Sequence, residues 1–275
     1  MSSRKVCRLK DFDLEYVEQG SGAPVVFVHG SNADSRIWED HVDVVASRYR
    51  TIAINQRYFG LSPWPDKGEK FGQKVHGEDL AAFIRSLDSG PVTLVGWSYG
   101  GGVCVSTAVG HSALVERMFL YEPALGTHVE DPARAAALHA DRQAMMAKAK
   151  ELSDKGDLEA SVRAFMDDVN SKAGTFDRLP PKVRRLMTDN ARMLPLLFAG
   201  PPPPQATAED LRMLEIPTTI AFGELSRDFY KIAAHEAQAL IPGAEPVRVK
   251  TGRHLYPVQE PAFFSQLLLS FLDEE

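Results

Sequence analysis

The chain has 275 residues, of which 44% are hydrophobic and 25% charged, and its formal net charge is −6. That length and balance suit one large domain, or a core with an insertion, and argue against disorder. Without a basic excess there is no electrostatic footprint for nucleic acid, and without a long apolar run there is no membrane span.

The opening stretch, MSSRKVCRLKDFDLEYVEQG, lacks the apolar centre of a signal peptide and reads as mature protein. Cys7 and Cys104 are the only cysteines and stand far apart, which argues against a disulfide framework and suits a reducing cytoplasm. No repeat of fixed period points to a solenoid. Residues 25–28, 51–54 and 92–95 are short runs rich in β-branched side chains, each closed by glycine or polar residues. Strands buried on both faces look like this, so a largely parallel α/β sheet is expected. Before the third run, Leu80, Phe83, Ile84 and Leu87 recur at helical spacing and predict one apolar helix face. Residues 118–121 supply another strand.

The texture changes after Pro123. From about Gly126 to Arg212 no convincing strand is present, and helical periodicity runs through RAAALHADRQAMMAKAKEL and LEASVRAFMDDV. The run from Pro201 to Pro204 predicts an extended connector that closes this segment. Strand texture returns at Thr218 and at 246–249, and PAFFSQLLLSFL reads as a final amphipathic helix with proline in its first turn. The pattern is a sheet domain interrupted by a mainly helical insertion.

Three stretches carry chemistry. GWSYGG at 96–101 follows a strand and leads into a helix-compatible run. A serine on such a tight turn takes strained backbone angles, and glycine neighbours let helix and strand approach it. Ser98 is therefore the expected nucleophile. A serine hydroxyl needs a base, and among eight histidines His254 stands in a glycine-containing loop after the last strand, where it can lean over a neighbouring strand end. Ser31, in the turn His29-Gly30-Ser31-Asn32, and Tyr99, just after the nucleophile, are expected to offer backbone N–H groups to a developing oxyanion. His29 is expected to brace that turn through its ring nitrogens.

Together, His29-Gly30 after a strand, NQRYFGLS at 55–62, GWSYGG at 96–101 and GRHLYPVQEPAFF at 252–264 resemble the α/β-hydrolase superfamily over nearly the whole chain. The likeness is to its serine-nucleophile, capped, carboxylesterase- or lactonase-like members. It implies a mostly parallel eight-stranded sheet flanked by helices, with a helical cap inserted after the sixth strand. Residues 1–123 and 213–275 would form the core and 124–212 the cap. In the family the second stretch usually begins with aspartate and has glycine where Tyr58 stands, so Asn55 and Tyr58 are departures. Members with an aspartate nucleophile, haloalkane dehalogenases and epoxide hydrolases, need a carboxylate ester intermediate that Ser98 does not allow.

The acid is the open position. The family commonly places it three residues after a glycine like Gly223, where this chain has Ser226. Glu122, Asp228 and Glu224 are the candidates. Adjacent parallel strands lie about 4.8 Å apart, so an acid ending one strand can approach the space of an acid on the next. Some family members take the acid from the end of the sixth strand, which favours Glu122 over Asp228. Pro123 is expected to bias Glu122 towards extended geometry.

The function expected is cleavage of carboxylic esters through an acyl-enzyme on Ser98, on a small to medium, largely apolar small-molecule substrate. No metal-ligand spacing and no dinucleotide fingerprint is present, so neither metal nor organic cofactor is expected. Lactones and carbon–carbon bonds β to a carbonyl suit similar machinery. A ligand-binding, receptor-like hydrolase with slow turnover and a cofactor-free oxygenase are alternatives on the same scaffold. A homodimer is left open.

Overall fold

A computed structural model describes residues 3–199 and 206–273. The polyproline run at 201–204 lies outside the described residues. Eight strands form one sheet: β1 (Ser3–Arg8), β2 (Asp13–Gln19), β3 (Pro24–Val28), β4 (Arg50–Ile54), β5 (Val92–Trp97), β6 (Val115–Tyr121), β7 (Thr218–Gly223) and β8 (Glu245–Val249). Their spatial order is β1-β2-β4-β3-β5-β6-β7-β8. β2 pairs antiparallel with both β1 and β4, and every pairing from β4 to β8 is parallel. This is an α/β-hydrolase sheet. β3, β5 and β7 are buried along their whole length, as expected for strands covered on both faces.

Three helices join strands β3 to β6, namely α1 (Glu39–Val45), α2 (Gln73–Ser86) and α3 (Tyr99–Gly110), and α12 (Pro261–Asp273) closes the chain. α2 packs on α3 and α1 packs on α12. Leu80, Phe83 and Ile84 of α2 are buried, whereas Leu87 caps its end and is partly buried. Phe264 anchors α12 on one face of the sheet. It is fully buried among Trp38, Phe119 and Tyr121, and truncating such a side chain costs about 3–5 kcal/mol.

Between β6 and β7 run α4 (Pro132–Asp154), α5 (Leu158–Val169), α6 (Thr175–Arg178), α7 (Pro181–Asp189), α8 (Leu194–Phe198) and α9 (Ala208–Arg212). The Asp131 carboxylate accepts the Arg134 N–H at 2.8 Å and Pro132 opens the first turn, which together start α4 where they do. Asp157 caps α5 in the same way. After β7 come α10 (Asp228–Leu240) and, beyond β8, the short α11 (Tyr256–Gln259). Parallel register brings the ends of β5, β6 and β7 level: Trp97 pairs with Tyr121, and Tyr121 with Ala221. The next residues therefore share one edge of the sheet, near the point where successive strands switch from one side of β3 to the other. Ligands of open α/β sheets bind outside such a point.

Candidate active site

Ser98 sits between β5 and α3 with φ 55° and ψ −119°, in the left-handed half of conformational space that a non-glycine residue rarely adopts. Its N–H donates to the Tyr121 carbonyl at 3.0 Å, and its own carbonyl accepts from Ala124 and Gly102. The turn needs bare backbone around it. A Cβ on Gly96 would lie 2.8 Å from the Gly101 Cα, and one on Gly30 would crowd the Ser98 Cβ at 3.2 Å. Those two glycines let β5, α3 and the loop after β3 converge on the hydroxyl.

The loop after β8 brings His254 to that hydroxyl, with Nε2 3.0 Å from Ser98 Oγ. Three donors fix the loop. Trp97 Nε1 donates to the His254 carbonyl at 3.1 Å, the Tyr121 hydroxyl donates to the Arg253 carbonyl at 2.9 Å, and the Leu255 N–H donates to Asn170 Oδ1 at 3.0 Å. On its other side the imidazole Nδ1 lies 2.7 Å from Glu122 Oε2. The second Glu122 oxygen accepts the Gly223 N–H at 2.8 Å. Glu122 is fully buried, and both carboxylate oxygens are engaged. Nδ1–H then points at the acid and Nε2 faces the serine, so a proton can pass from Oγ to the imidazole.

Glu122 does not adopt the extended backbone expected from Pro123. Its φ is 45°, because the chain must turn sharply out of β6 while the Glu122 N–H still donates to Ala221 at 2.9 Å. Local proline bias is a small effect beside that hydrogen bond and the carboxylate pairing. Asp228 is not brought to His254. It opens α10 with its side chain 70% exposed and pairs with Lys231 at 2.9 Å. Glu224 is exposed as well. Ser226 is buried, and among the described residues its hydroxyl has no partner.

The loop after β3 is held from beneath. His29 Nδ1–H donates to the Gly30 carbonyl at 2.8 Å, and Nε2 accepts the Gln56 N–H at 3.2 Å. Gln56 Nε2 also donates to the His29 carbonyl at 2.7 Å. Burial pushes His29 down to about 4, so the ring stays neutral and keeps this donor–acceptor polarity. Ser31 lines the cavity in front of Ser98. Tyr99 opens α3, so its N–H has no carbonyl one turn back. Both N–H groups belong to the two turns that flank Ser98.

A cavity of about 310 Å³ opens onto Ser98. Met145, Met146, Phe165, Leu196 and Leu197 roof it, and Phe71, Tyr99, Leu125, Phe229 and Tyr230 complete its walls. Met166 and Met187 border a smaller space behind Ser98 and His254, whereas Met193 and Phe198 are core. Tyr99 is wedged by the ring of His76, which lies 3.1 Å from its hydroxyl and is pushed down to about 3, first by burial and then by the Arg57 charge.

Two side chains at the site carry no signal in the sequence. Tyr230 of α10 is stacked on His254, ring centroids 3.8 Å apart and planes 9° from parallel. Its hydroxyl reaches Ser98, and burial holds its pKa well above the usual tyrosine value. Arg142 of α4 lines the cavity. α10 begins at Asp228, and Tyr230 in its first turn is buried. Among the described residues there is no group of three or more His, Cys, Asp or Glu placed to hold a metal, and no helix is long and apolar enough to cross a membrane.

A family model described as the alpha/beta hydrolase family matches residues 25–267. A 2-(acetamidomethylene)succinate hydrolase of Mesorhizobium japonicum is 35% identical over 102 residues, 37% of this chain and 36% of that protein. A 2-hydroxy-6-oxo-6-(2'-aminophenyl)hexa-2,4-dienoic acid hydrolase of Metapseudomonas resinovorans is 32% identical over 112 residues, 39% of this chain and 38% of that one. The matched stretch thus spans little more than a third of either relative. Among solved structures, an esterase of Rhodococcus sp. ECU1013 superposes with a TM-score of 0.78 at 21% identity, covering 99% of this chain and 98% of that one. At that identity the likeness is one of fold.

Proposed function

The chain belongs to the alpha/beta hydrolase family, and from that premise we propose that it is a serine hydrolase of carboxylic esters working through an acyl-enzyme on Ser98. The observation that carries this reading is the relay from Ser98 Oγ to His254 Nε2 and from His254 Nδ1 to Glu122, at 3.0 and 2.7 Å. Ser98 Oγ attacks the ester carbonyl carbon while its proton passes to Nε2. The oxyanion that forms is held by the N–H groups of Ser31 and Tyr99, each such donor being worth about 100- to 1,000-fold in rate. On collapse the carbon–oxygen bond breaks and the leaving alkoxide takes the proton back from Nε2. Water, deprotonated by the same nitrogen, then releases the acid and restores Ser98. Glu122 keeps Nδ1 protonated and stabilises the imidazolium without taking its proton.

On this reading residues 1–123 and 213–275 are the core and 124–212 a cap. Support for the cap comes from α4, α5 and α8, which supply much of the cavity roof. Its mainly apolar walls favour an apolar acyl group. A serine at the elbow counts against epoxide opening, which needs a carboxylate there.

The test is labelling by a fluorophosphonate and turnover of short-chain nitrophenyl esters, in parallel with Ser98→Ala. Labelling and turnover should both disappear in the variant. A wild-type protein that neither labels nor turns over any ester would sink the reading.

A further inference from the structure

α4 turns two basic side chains, His139 and Arg142, to the cavity that opens onto Ser98. Arg142 is half-buried, yet among the described residues nothing accepts a hydrogen bond from its guanidinium and no carboxylate pairs with it. Its neighbours differ. Arg227 forks onto Asp141 at 2.6 and 3.0 Å, and Arg134 pairs with Glu236 at 2.8 Å. Asp141, next to Arg142 in sequence, is fully engaged, because the oxygen that faces Arg227 Nε also takes the Phe229 N–H at 3.0 Å. Burial lowers the pKa of Arg142, and the one titratable group whose field registers on it is the Tyr230 phenol.

Among the described residues the cavity offers this cation no counter-charge. None of the described residues that line it is Asp or Glu. Glu122 stands behind His254 with both oxygens in use. A partly desolvated guanidinium without a partner is unfavourable in the empty protein. It is well matched to a planar oxyanion, which its fork meets with two parallel hydrogen bonds.

We propose that Arg142 binds a carboxylate and that the ester cleaved at Ser98 carries a free carboxyl group, as the half-ester of a dicarboxylic acid does. The bond cleaved rests on the ester-hydrolase reading above; the anion rests on Arg142. One fork and one arginine charge suit a monoanionic carboxylate rather than a phosphate dianion, and the apolar walls receive the carbon chain between carboxylate and ester.

Two measurements separate the parts. First, kcat/KM is compared for para-nitrophenyl hemiglutarate and its neutral counterpart para-nitrophenyl butyrate, in wild type, Arg142→Gln and Arg142→Lys. Each ratio comes from one preparation, so differences in folded fraction cancel. Wild type should favour the half-ester by about 10- to 100-fold, the span of one charge-assisted contact; the ratio should approach one in Arg142→Gln and be partly kept in Arg142→Lys. A wild-type ratio at or below one, or a ratio unmoved by Arg142→Gln, overturns the proposal. Second, glutarate and inorganic phosphate are titrated into the same proteins by calorimetry. Glutarate should bind wild type and weaken by a similar factor in Arg142→Gln. If no ester is cleaved but this pattern holds, the ester reading falls and the carboxylate site stands. Absence of glutarate binding, equal binding by both proteins, or tighter phosphate binding through Arg142 overturns the carboxylate assignment.

Discussion

The carboxylate of Glu122 lies 2.7 Å from the Nδ1 of His254, although the two residues are 132 positions apart and follow strands, β6 and β8, that are not neighbours. β7 stands between β6 and β8, and it takes part through its backbone, since the Gly223 N–H donates to the other Glu122 oxygen. The end of β6 thereby occupies the space an acid from the end of β7 would need.

Replacement of Glu122 by glutamine tests this directly. The amide oxygen can still accept from Gly223, which turns the amide N–H₂ towards Nδ1. Nδ1 must then become an acceptor, and Nε2 carries the proton in front of Ser98, the wrong tautomer for a base. Glu122→Gln should lower kcat by about 1,000-fold or more. Asp228→Asn, on an exposed side chain, should stay within about 2-fold of wild type. Steady-state kinetics on one nitrophenyl ester decides, and the opposite ranking would overturn the assignment.

Ser226 supplies a second, independent test. A buried hydroxyl with no partner bears a desolvation cost and returns no hydrogen bond. Ser226→Ala should therefore leave kcat/KM unchanged and raise stability, by up to about 1 kcal/mol in urea unfolding. A loss of stability comparable with that of a broken buried hydrogen bond would mean that the serine is structurally engaged.

How far the sequence reaches is clear from particular residues. Ser98 and His254 are legible because a glycine-flanked turn after an apolar strand has few other uses, and because the loop after the last strand is short. β1 and β2 leave no such trace. They form an edge hairpin in which Leu14 is the one fully buried apolar side chain, so neither apolar runs nor clean alternation mark them; the count of eight strands came through the family resemblance. The backbone of Glu122 was misread because the pre-proline preference is a weak local term, overruled by contacts with residues about a hundred positions away. Tyr230 and Arg142 were invisible for the same reason. Each is one polar residue on an ordinary helix, and only the packing of α10 and α4 over the sheet edge turns it to the cavity in front of Ser98.

Stacking of Tyr230 on His254 leads to a third prediction. The phenol face limits rotation of the imidazole out of the line between Glu122 and Ser98. Tyr230→Phe keeps the face and removes the hydroxyl that reaches Ser98; it should keep kcat/KM within about 10-fold of wild type. Tyr230→Ala removes the face as well. Misplacement of a reacting group by about 1 Å can cost about 100-fold, so this variant should lose about that much, together with about 3–5 kcal/mol of stability from the cavity. The rate of fluorophosphonate labelling at a temperature where both variants are folded separates the two effects. Equal labelling rates for the alanine and phenylalanine variants would show that the stack does not position His254.

Three neutral histidines set the acid limit of the fold. Burial pushes His29 and His41 down to about 4 and His76 to about 3, from an ordinary value of 6.5. Below 6.5 the unfolded chain takes up protons at these positions while the folded chain does not, so stability is fully present above that pH and is lost as pH falls towards the folded values. By about pH 5 each histidine should have removed about 2 kcal/mol. His41 is the one to vary, because it lies between α1 and α12, bonded to Ser265 and the Pro257 carbonyl, away from Ser98. His41→Gln should be less stable than wild type at about pH 7. Its further loss on going to about pH 5 should nevertheless be smaller than that of wild type by about 2 kcal/mol, read from urea unfolding at both pH values. An equal loss in the two proteins would mean that His41 takes up its proton in the fold as readily as in the unfolded chain, so that burial between the two helices does not hold it neutral.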